Sequence, residues 1–163
     1  MIEPKHGLPP IARADARLFI LGSLPGDASL AAQRYYAHPT NQFWRLIGRV
    51  LGEELHTLDY PARLERLAAQ RIGLWDVVAA AERRGSLDGA IRNASLNPIE
   101  RLAETWPQLR AIGFNGGEAA RTGRKLLGGA SGIVLIDLPS SSAANTRRLA
   151  EKAAIWARLG AFL

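Results

Sequence analysis

No cysteine occurs among the 163 residues, and that absence closes several routes at once. There is no disulfide framework, no Cys nucleophile, no thiolate zinc site and no cysteine-ligated iron–sulfur cluster. Histidine is scarce as well. His6, His38 and His56 are the only imidazoles, and their scatter matches no helical metal motif, so neither a metal nor any other cofactor is expected. Long apolar runs are missing too: no stretch approaches the roughly 20 residues of a membrane span. Met1 to Pro10 carries Pro4, Pro9 and Pro10 where a secretion signal would need an apolar core. These features predict a cytoplasmic protein with no membrane partner. What remains, 47% apolar and 22% charged residues, describes one globular domain over 1–163. A chain of this size buries roughly 68–70% of its unfolded surface and needs no cross-link to hold a core.

The net charge of +6 is unevenly spread: residues 1–50 carry +3, residues 51–100 carry −2, and residues 101–163 carry +5. A basic surplus at both ends suits a polyanion partner without locating a site for one.

Arg17 to Gly22 is a short apolar run ending in glycine, the pattern of a strand buried on both faces. A loop of about eighteen residues follows, long enough to suggest a function. Helical spacing resumes at Phe43, Trp44, Ile47, Val50 and Leu51, with Thr40 or Asn41 as the cap. A second helix is expected from near Pro61, then a strand over Ile72 to Val78. Asn97-Pro98-Ile99-Glu100 has the composition of a helix start, with Asn97 as the cap. That helix should end near Trp106. Arg110 to Phe114 and Gly132 to Leu138 read as the third and fourth strands, separated by a helix that follows Asn115-Gly116-Gly117 and reaches Leu127. The last helix runs from about Thr146, with Leu149, Ala153, Trp156 and Leu159 on one face. Phe43, Trp44, Trp75, Trp106 and Trp156 are assigned to the core. Strands alternating with helices imply a three-layer α/β/α sandwich around a mainly parallel four-stranded sheet. The acidic middle third is read as an interpolated helical segment.

Ligands of open parallel sheets bind beyond the carboxyl ends of the strands. Here those ends hold Gly22 to Ser29, Tyr35 to Trp44, Asp76, Asn115-Gly116-Gly117 and Pro139 to Asn145. They are rich in Asn, Ser, Gly and Tyr and poor in carboxylates. Such a set orients a water and hydrogen-bonds a flat polar ligand better than it performs strong acid–base work. The glycines at 22 and 26 fit neither the Walker pattern nor the dinucleotide spacing. Ser140-Ser141-Ser142 lacks the flanking glycines of a serine-hydrolase elbow. Asp27 and Asp76 are the only acids placed for paired-carboxylate chemistry.

Three segments, taken in order, resemble a known family: Gly22-Ser-Leu-Pro-Gly26, Tyr36-Ala-His-Pro-Thr-Asn-Gln-Phe-Trp44 and Leu138-Pro-Ser-Ser-Ser-Ala-Ala-Asn145. Together they are similar to the motifs of the uracil-DNA glycosylase superfamily. The similarity is greatest to its hypoxanthine-DNA (deoxyinosine) glycosylase branch and extends to the mismatch-specific uracil and thymine glycosylases. The resemblance implies a monofunctional enzyme of base excision repair, acting as a monomer on DNA that contains a deaminated base. It would flip that base out and hydrolyse the N-glycosidic bond without a metal. In most branches an Asn or Asp before the first-motif proline positions the water; here Leu24 fills that slot and can do neither job. The departure weakens uracil excision and points to the hypoxanthine branch, where another asparagine takes the role. By position that residue is Asn41, with Asn115 as a second polar contact. Tyr36 falls where a related branch stacks an aromatic ring on the flipped base, a contact worth about 1–3 kcal/mol. Ser23, Leu24 and His38 complete the implied base-binding group. Pro139, Ser140, Ser141, Ser142 and Asn145 match the loop that enters the minor groove, with Ser141 and Ser142 at its tip, and Arg147 and Arg148 would face phosphates beside it. The missing cysteines exclude the iron–sulfur branches of the same superfamily.

Each of these residues also has a purely local reading. Asn41 caps a helix, His38 fixes its loop by hydrogen bonding, Tyr36 packs, Asn115 tolerates a left-handed turn, and Ser140 and Asn145 cap the last helix. Asp27 is a candidate substitute for the missing first-motif carboxylate. A uracil or thymine specificity, or a non-catalytic DNA-binding module on the same fold, are the two alternatives to hypoxanthine excision.

Overall fold

The computed structural model describes residues 2–129 and 132–163. Its centre is four parallel strands: β2 (Leu18–Gly22), β3 (Ile72–Asp76), β6 (Ala111–Asn115) and β7 (Val134–Leu138), in the order β3-β2-β6-β7. Side chains alternate across a strand, and here the alternation divides the core in two. Leu18 and Ile20 of β2 join Ile72, Leu74, Ile136 and Leu138 on one face. Phe19 and Leu21 join Ile112 and Phe114 on the other. Phe43, Trp44 and Ile47 of helix α2 (Phe43–Leu51), Leu67 of α3 (Tyr60–Ala69) and Trp156 of α6 (Leu149–Trp156) cover the first face. Ala119, Ala120 and Leu127 of α5 (Gly117–Leu127) and Leu102 of the one-turn α4 (Leu102–Thr105) cover the second. The expected three layers and parallel four-stranded sheet are therefore present. Among the described residues no helix is long and apolar enough to cross a membrane.

A second sheet was not expected. The run from Ile72 does not end at Val78; it turns after Asp76 and continues as β4 (Val78–Glu82), which pairs antiparallel with β1 (Lys5–His6) and β5 (Arg92–Leu96). The acidic middle third is thus not an interpolated helical segment: it holds α3 and β3, and its latter half supplies two of the three strands of this antiparallel sheet. Its alanines suggest helix, and β5, exposed at every position, has no apolar alternation to betray it.

Smaller corrections have local causes. The long loop after β2 contains a short helix, α1 (Asp27–Ala32). Asn97 does not cap a helix, because its amide donates to the Asp76 main-chain carbonyl at 2.8 Å; the segment beyond it makes only a 3₁₀ turn, Ile99–Arg101, and α4. The last helix begins at Leu149 rather than Thr146, and neither Ser140 nor Asn145 caps it. Trp75 and Trp106 pack against the second face but are only half-buried, whereas Phe43, Trp44 and Trp156 are core.

Close packing on β3 generates a test. A Cβ on Gly73 would stand 2.7 Å from Phe19 Cζ and 2.8 Å from Ala12 Cβ, whereas at Gly160 it would meet nothing within 4 Å. Overpacking a core typically costs about 1–3 kcal/mol. At this chain length that lowers Tm by roughly 2–4 °C per kcal/mol. Gly73→Ala should therefore melt several degrees below the parent, with Gly160→Ala unchanged; equal melting of the two variants would refute the account.

Candidate active site

The carboxyl ends of β2, β3 and β6 and the segment after β7 surround one cleft of about 500 Å³. Its walls hold Ser23, Leu24, Tyr36, His38, Asn41, Asn115, Ser140, Ser141, Ser142 and Asn145. The structure thus brings together three segments that the chain separates by up to about a hundred residues. Pro139, Arg147 and Arg148 flank the cleft wall rather than line it.

Asn115, at the end of β6, fixes this arrangement. Its Oδ1 accepts from Ser141 N at 2.9 Å, and its Nδ2 donates to Ser141 Oγ at 2.9 Å and to Tyr36 Oη at 3.2 Å. Both amide hydrogens are used, so the role expected for Asn115 changes from contacting a base to positioning Tyr36 and the loop after β7. Ser141 is 1% exposed and cannot be the tip that fills a duplex. Bonding to Asn115 turns it inward, and its carbonyl accepts from Gln42 N at 2.8 Å. The exposed tip of this segment is Ala143-Ala144. Ser142 carries the loop's second anchor, since its carbonyl accepts from Lys152 Nζ at 3.2 Å. Pro139 offers its carbonyl to Trp156 Nε1 at 3.0 Å.

Tyr36 is held in a left-handed backbone conformation, φ 54°, uncommon for a bulky side chain. Such strain costs on the order of 1–3 kcal/mol and persists where surrounding contacts impose it. Here the Asn115 bond and stacking on Phe43, with ring centroids 3.9 Å apart and planes 14° from parallel, do so. Burial raises the Tyr36 phenol well above its ordinary value, with the Asp76 carboxyl adding to the effect, so it stays neutral.

Asn41 Oδ1 accepts from Phe43 N at 2.9 Å and shapes the entry to α2, in which Gln42 rather than Asn41 is the capping residue. Its Nδ2 makes no hydrogen bond among the described residues and its side chain lines the cleft. His38 Nδ1 accepts from Thr40 N at 3.1 Å, which places the proton of a neutral ring on Nε2. Leu24 reaches the cleft but packs its side chain against Val78, Ala81 and Ile91. Arg148 pairs with Glu151 at 3.2 Å on the surface, and Arg147 is exposed.

Two acids were underrated. Asp76 is 3% exposed, and its Oδ2 is buried without a hydrogen-bond partner. Burial, the neighbouring Asp88 and, in opposition, Arg83 set its acidity, pushed up to about 7. Asp88 accepts from Ser23 Oγ at 2.5 Å and is also raised, mainly by burial. Arg83 is fully buried and donates to the carbonyls of Leu24 at 3.2 Å and Pro25 at 2.7 Å, which holds the first motif in place. Arg83 and Asp88 lie in the connection between β4 and β5, the two strands that the chain's periodicity hides. The one readable clue was Gly22: a Cβ there would lie 2.6 Å from Asp76 Oδ1, so the glycine makes room for this acid. Asp27 is occupied at the surface by Lys5, 2.7 Å away, and does not replace the missing carboxylate. Among the described residues no group of three His, Asp or Glu side chains is arranged to hold a metal ion.

A parallel sheet with a strand-end cleft of neutral amides, hydroxyls and a stacked tyrosine defines a binder of flat, uncharged polar ligands. Comparison with known proteins makes the class specific. Residues 9–160 match the Uracil DNA glycosylase superfamily, and the chain belongs to it. It is 40% identical over 153 residues to the hypoxanthine DNA glycosylase of Methanosarcina barkeri, covering 94% of this chain and 96% of that protein. It is 41% identical over 152 residues to the hypoxanthine DNA glycosylase of Methanosarcina acetivorans, covering 93% and 95%. A solution NMR structure of a Methanosarcina acetivorans protein, proposed to be a uracil DNA glycosylase, superposes with a TM-score of 0.86 at 40% identity, over 97% of each chain.

The acidity of Asp76 predicts a pH-dependent stability. Between the ordinary carboxylate value of 3.8 and about 7 the folded state holds a proton that the unfolded chain has released. Stability therefore falls as pH rises through that window, by up to about 1.4 kcal/mol per pH unit. Asp76→Asn removes the loss. In denaturant melts the variant's stability relative to the parent should rise by a few kcal/mol between pH 5 and pH 8. The same difference at both pH values would show that Asp76 is not protonated in the folded protein.

Proposed function

We propose that the protein is a monofunctional DNA glycosylase, acting as a monomer in the cytoplasm, which hydrolyses the N-glycosidic bond of hypoxanthine in DNA. The observation that carries this reading is Asn41: it lines the cleft with an unengaged Nδ2, while the first-motif slot beside it holds an apolar Leu24 packed into a small cluster. A water bound by the Asn41 amide would be aimed at C1′, and the amide, unable to act as a base, would accelerate attack by orientation and by stabilising developing charge. The flipped base would extend the stack of Phe43 and Tyr36, with Ser23 and His38 at its edges. The names of the Methanosarcina relatives, hypoxanthine DNA glycosylases over nearly the whole chain, support the same substrate.

The DNA itself would lie across Pro139, Ser140, Ser142, the Ala143-Ala144 tip, Asn145, Arg147 and Arg148. A tip this small fills the vacated stack poorly, so the abasic product should be released readily. Arg147 and Arg148 stand three and four residues beyond that tip and belong to the C-terminal share of the +6 charge. Arg147→Ala and Arg148→Ala should each weaken duplex binding and reduce the slope of log K against log salt by about 1. Unchanged slopes in a salt titration would move the phosphate contacts elsewhere.

Incubation of a deoxyinosine duplex with enzyme in EDTA, followed by alkali, should cut the strand at the lesion. Asn41→Ala should slow single-turnover release by about 100-fold or more. Release of uracil or mismatched thymine in preference to hypoxanthine would reassign the substrate. Salt-sensitive duplex binding with no base release would make the chain a non-catalytic DNA-binding module.

A further inference from the structure

Asp76 has no task in the mechanism so far. It ends β3 and lines the cleft; its Oδ2 is shut from solvent without a partner, and the sheet accommodates it by placing a glycine at position 22. A buried carboxylate left unpaired costs several kcal/mol, so such a group avoids the penalty by keeping its proton. It then carries an O–H for which the protein supplies no acceptor. The charged and titratable groups facing it are Asp88 and Arg83 from the connection between β4 and β5 and Tyr35 and Tyr36 from the segment before α2. Asp88 opposes ionisation and Arg83 favours it, and the two tyrosines stay neutral because burial raises both phenols.

We propose that Asp76 is the proton donor to the departing purine. The inference rests on the reading of the protein as a hypoxanthine glycosylase. As the C1′–N9 bond breaks, its electron pair passes to the base, and the Asp76 proton moves to a ring-nitrogen lone pair of that base, which leaves as neutral hypoxanthine. Water adds its oxygen to C1′, and the proton it loses returns to the Asp76 carboxylate, restoring the acid. A purine offers such ring-nitrogen lone pairs; uracil, linked through N1 and protonated at N3, offers only carbonyl oxygens. The donor is therefore selective for purines. An environment of neutral amides can orient water for either base, but only this acid assists a purine's departure in particular.

The deciding measurement is single-turnover release of hypoxanthine and of uracil from the same duplex context between pH 5.5 and 8.5. The parent should lose hypoxanthine activity about tenfold per pH unit above roughly pH 7, the limb expected of an essential acid. Asp76→Asn should lack that limb and release hypoxanthine about 100-fold more slowly at pH 6. A parent that releases no hypoxanthine at any pH overturns both the substrate and the proton donor. A parent that releases it with no alkaline limb, or an Asn variant that keeps the parental rate and limb, overturns the proton donor alone. Should the variant fail to fold, the parental profile still decides.

Discussion

The cleft depends on one side-chain amide. The sheet ends at Asn115, and the segments that must close around a ligand come from opposite ends of the chain: Tyr36 near the beginning and Ser141 near the end. Neither lies within a strand or a helix. Asn115 holds both, with three hydrogen bonds of 2.9–3.2 Å from a buried position. A buried amide left half-satisfied costs on the order of 1–3 kcal/mol per group, so the three bonds stand or fall together. From Ser141 the constraint passes to Gln42 through its main-chain N–H, and from Gln42 to Lys152, whose Nζ donates to Gln42 Oε1 at 2.9 Å. The stretch containing Asn41 is thereby set by a network whose origin is the end of β6.

Charge is managed around the site in an unusual way for its buried members. Arg83 and Lys152 are both fully buried. Lys152 is bound by a carbonyl and an amide oxygen, and Arg83 chiefly by carbonyls, its nearest acid being Asp27 at 3.7 Å. Burial pushes the pKa of each down, and among the described residues neither makes a close ion pair with Asp76 or Asp88. The two cations thus act as ties: Arg83 grips the first motif and Lys152 the loop after β7. Asp76 and Asp88 consequently face each other with little compensating charge, which keeps the former near the boundary between acid and carboxylate.

The three layers and four parallel strands are legible in the chain because each central strand is a short apolar run closed by a polar or glycine residue, and each covering helix repeats its apolar residues at helical spacing. The small sheet is not, since Arg92 to Leu96 is exposed throughout and Val78 to Glu82 is mostly alanine. Arg83 and Asp88, in the connection between its strands β4 and β5, are hidden with it. Asn41, Tyr36 and His38 are readable as a group only through their resemblance to a family, for each also makes local contacts: Asn41 accepts from Phe43 N without being the cap of α2, Tyr36 packs on Phe43, and His38 fixes Thr40. Ser141 shows the reverse limit. Its type and position suggested an exposed tip, and only the reach of Asn115 from another strand turns it inward.

These bonds divide the polar groups of the cleft into those already committed and those free to meet a substrate. Asn115 and Ser141 satisfy each other, Ser23 is committed to Asp88, and His38 Nδ1 to Thr40. A committed group can shape a site but contributes little differential binding to a transition state, because its partner must be given up first. Among the uncommitted groups are the Asn41 Nδ2, a neutral donor at the entry to α2, the His38 Nε2, and the Asp76 carboxyl at the end of β3, whose Oδ2 has no partner. Hydrolysis of a glycosidic bond to a purine needs water placed at the sugar and a proton placed on the base. The loss of the usual first-motif acid or amide at Leu24 therefore leaves the chain with an unspent group for each half of the reaction, the Asn41 amide at the entry to α2 and the Asp76 carboxyl at the end of β3.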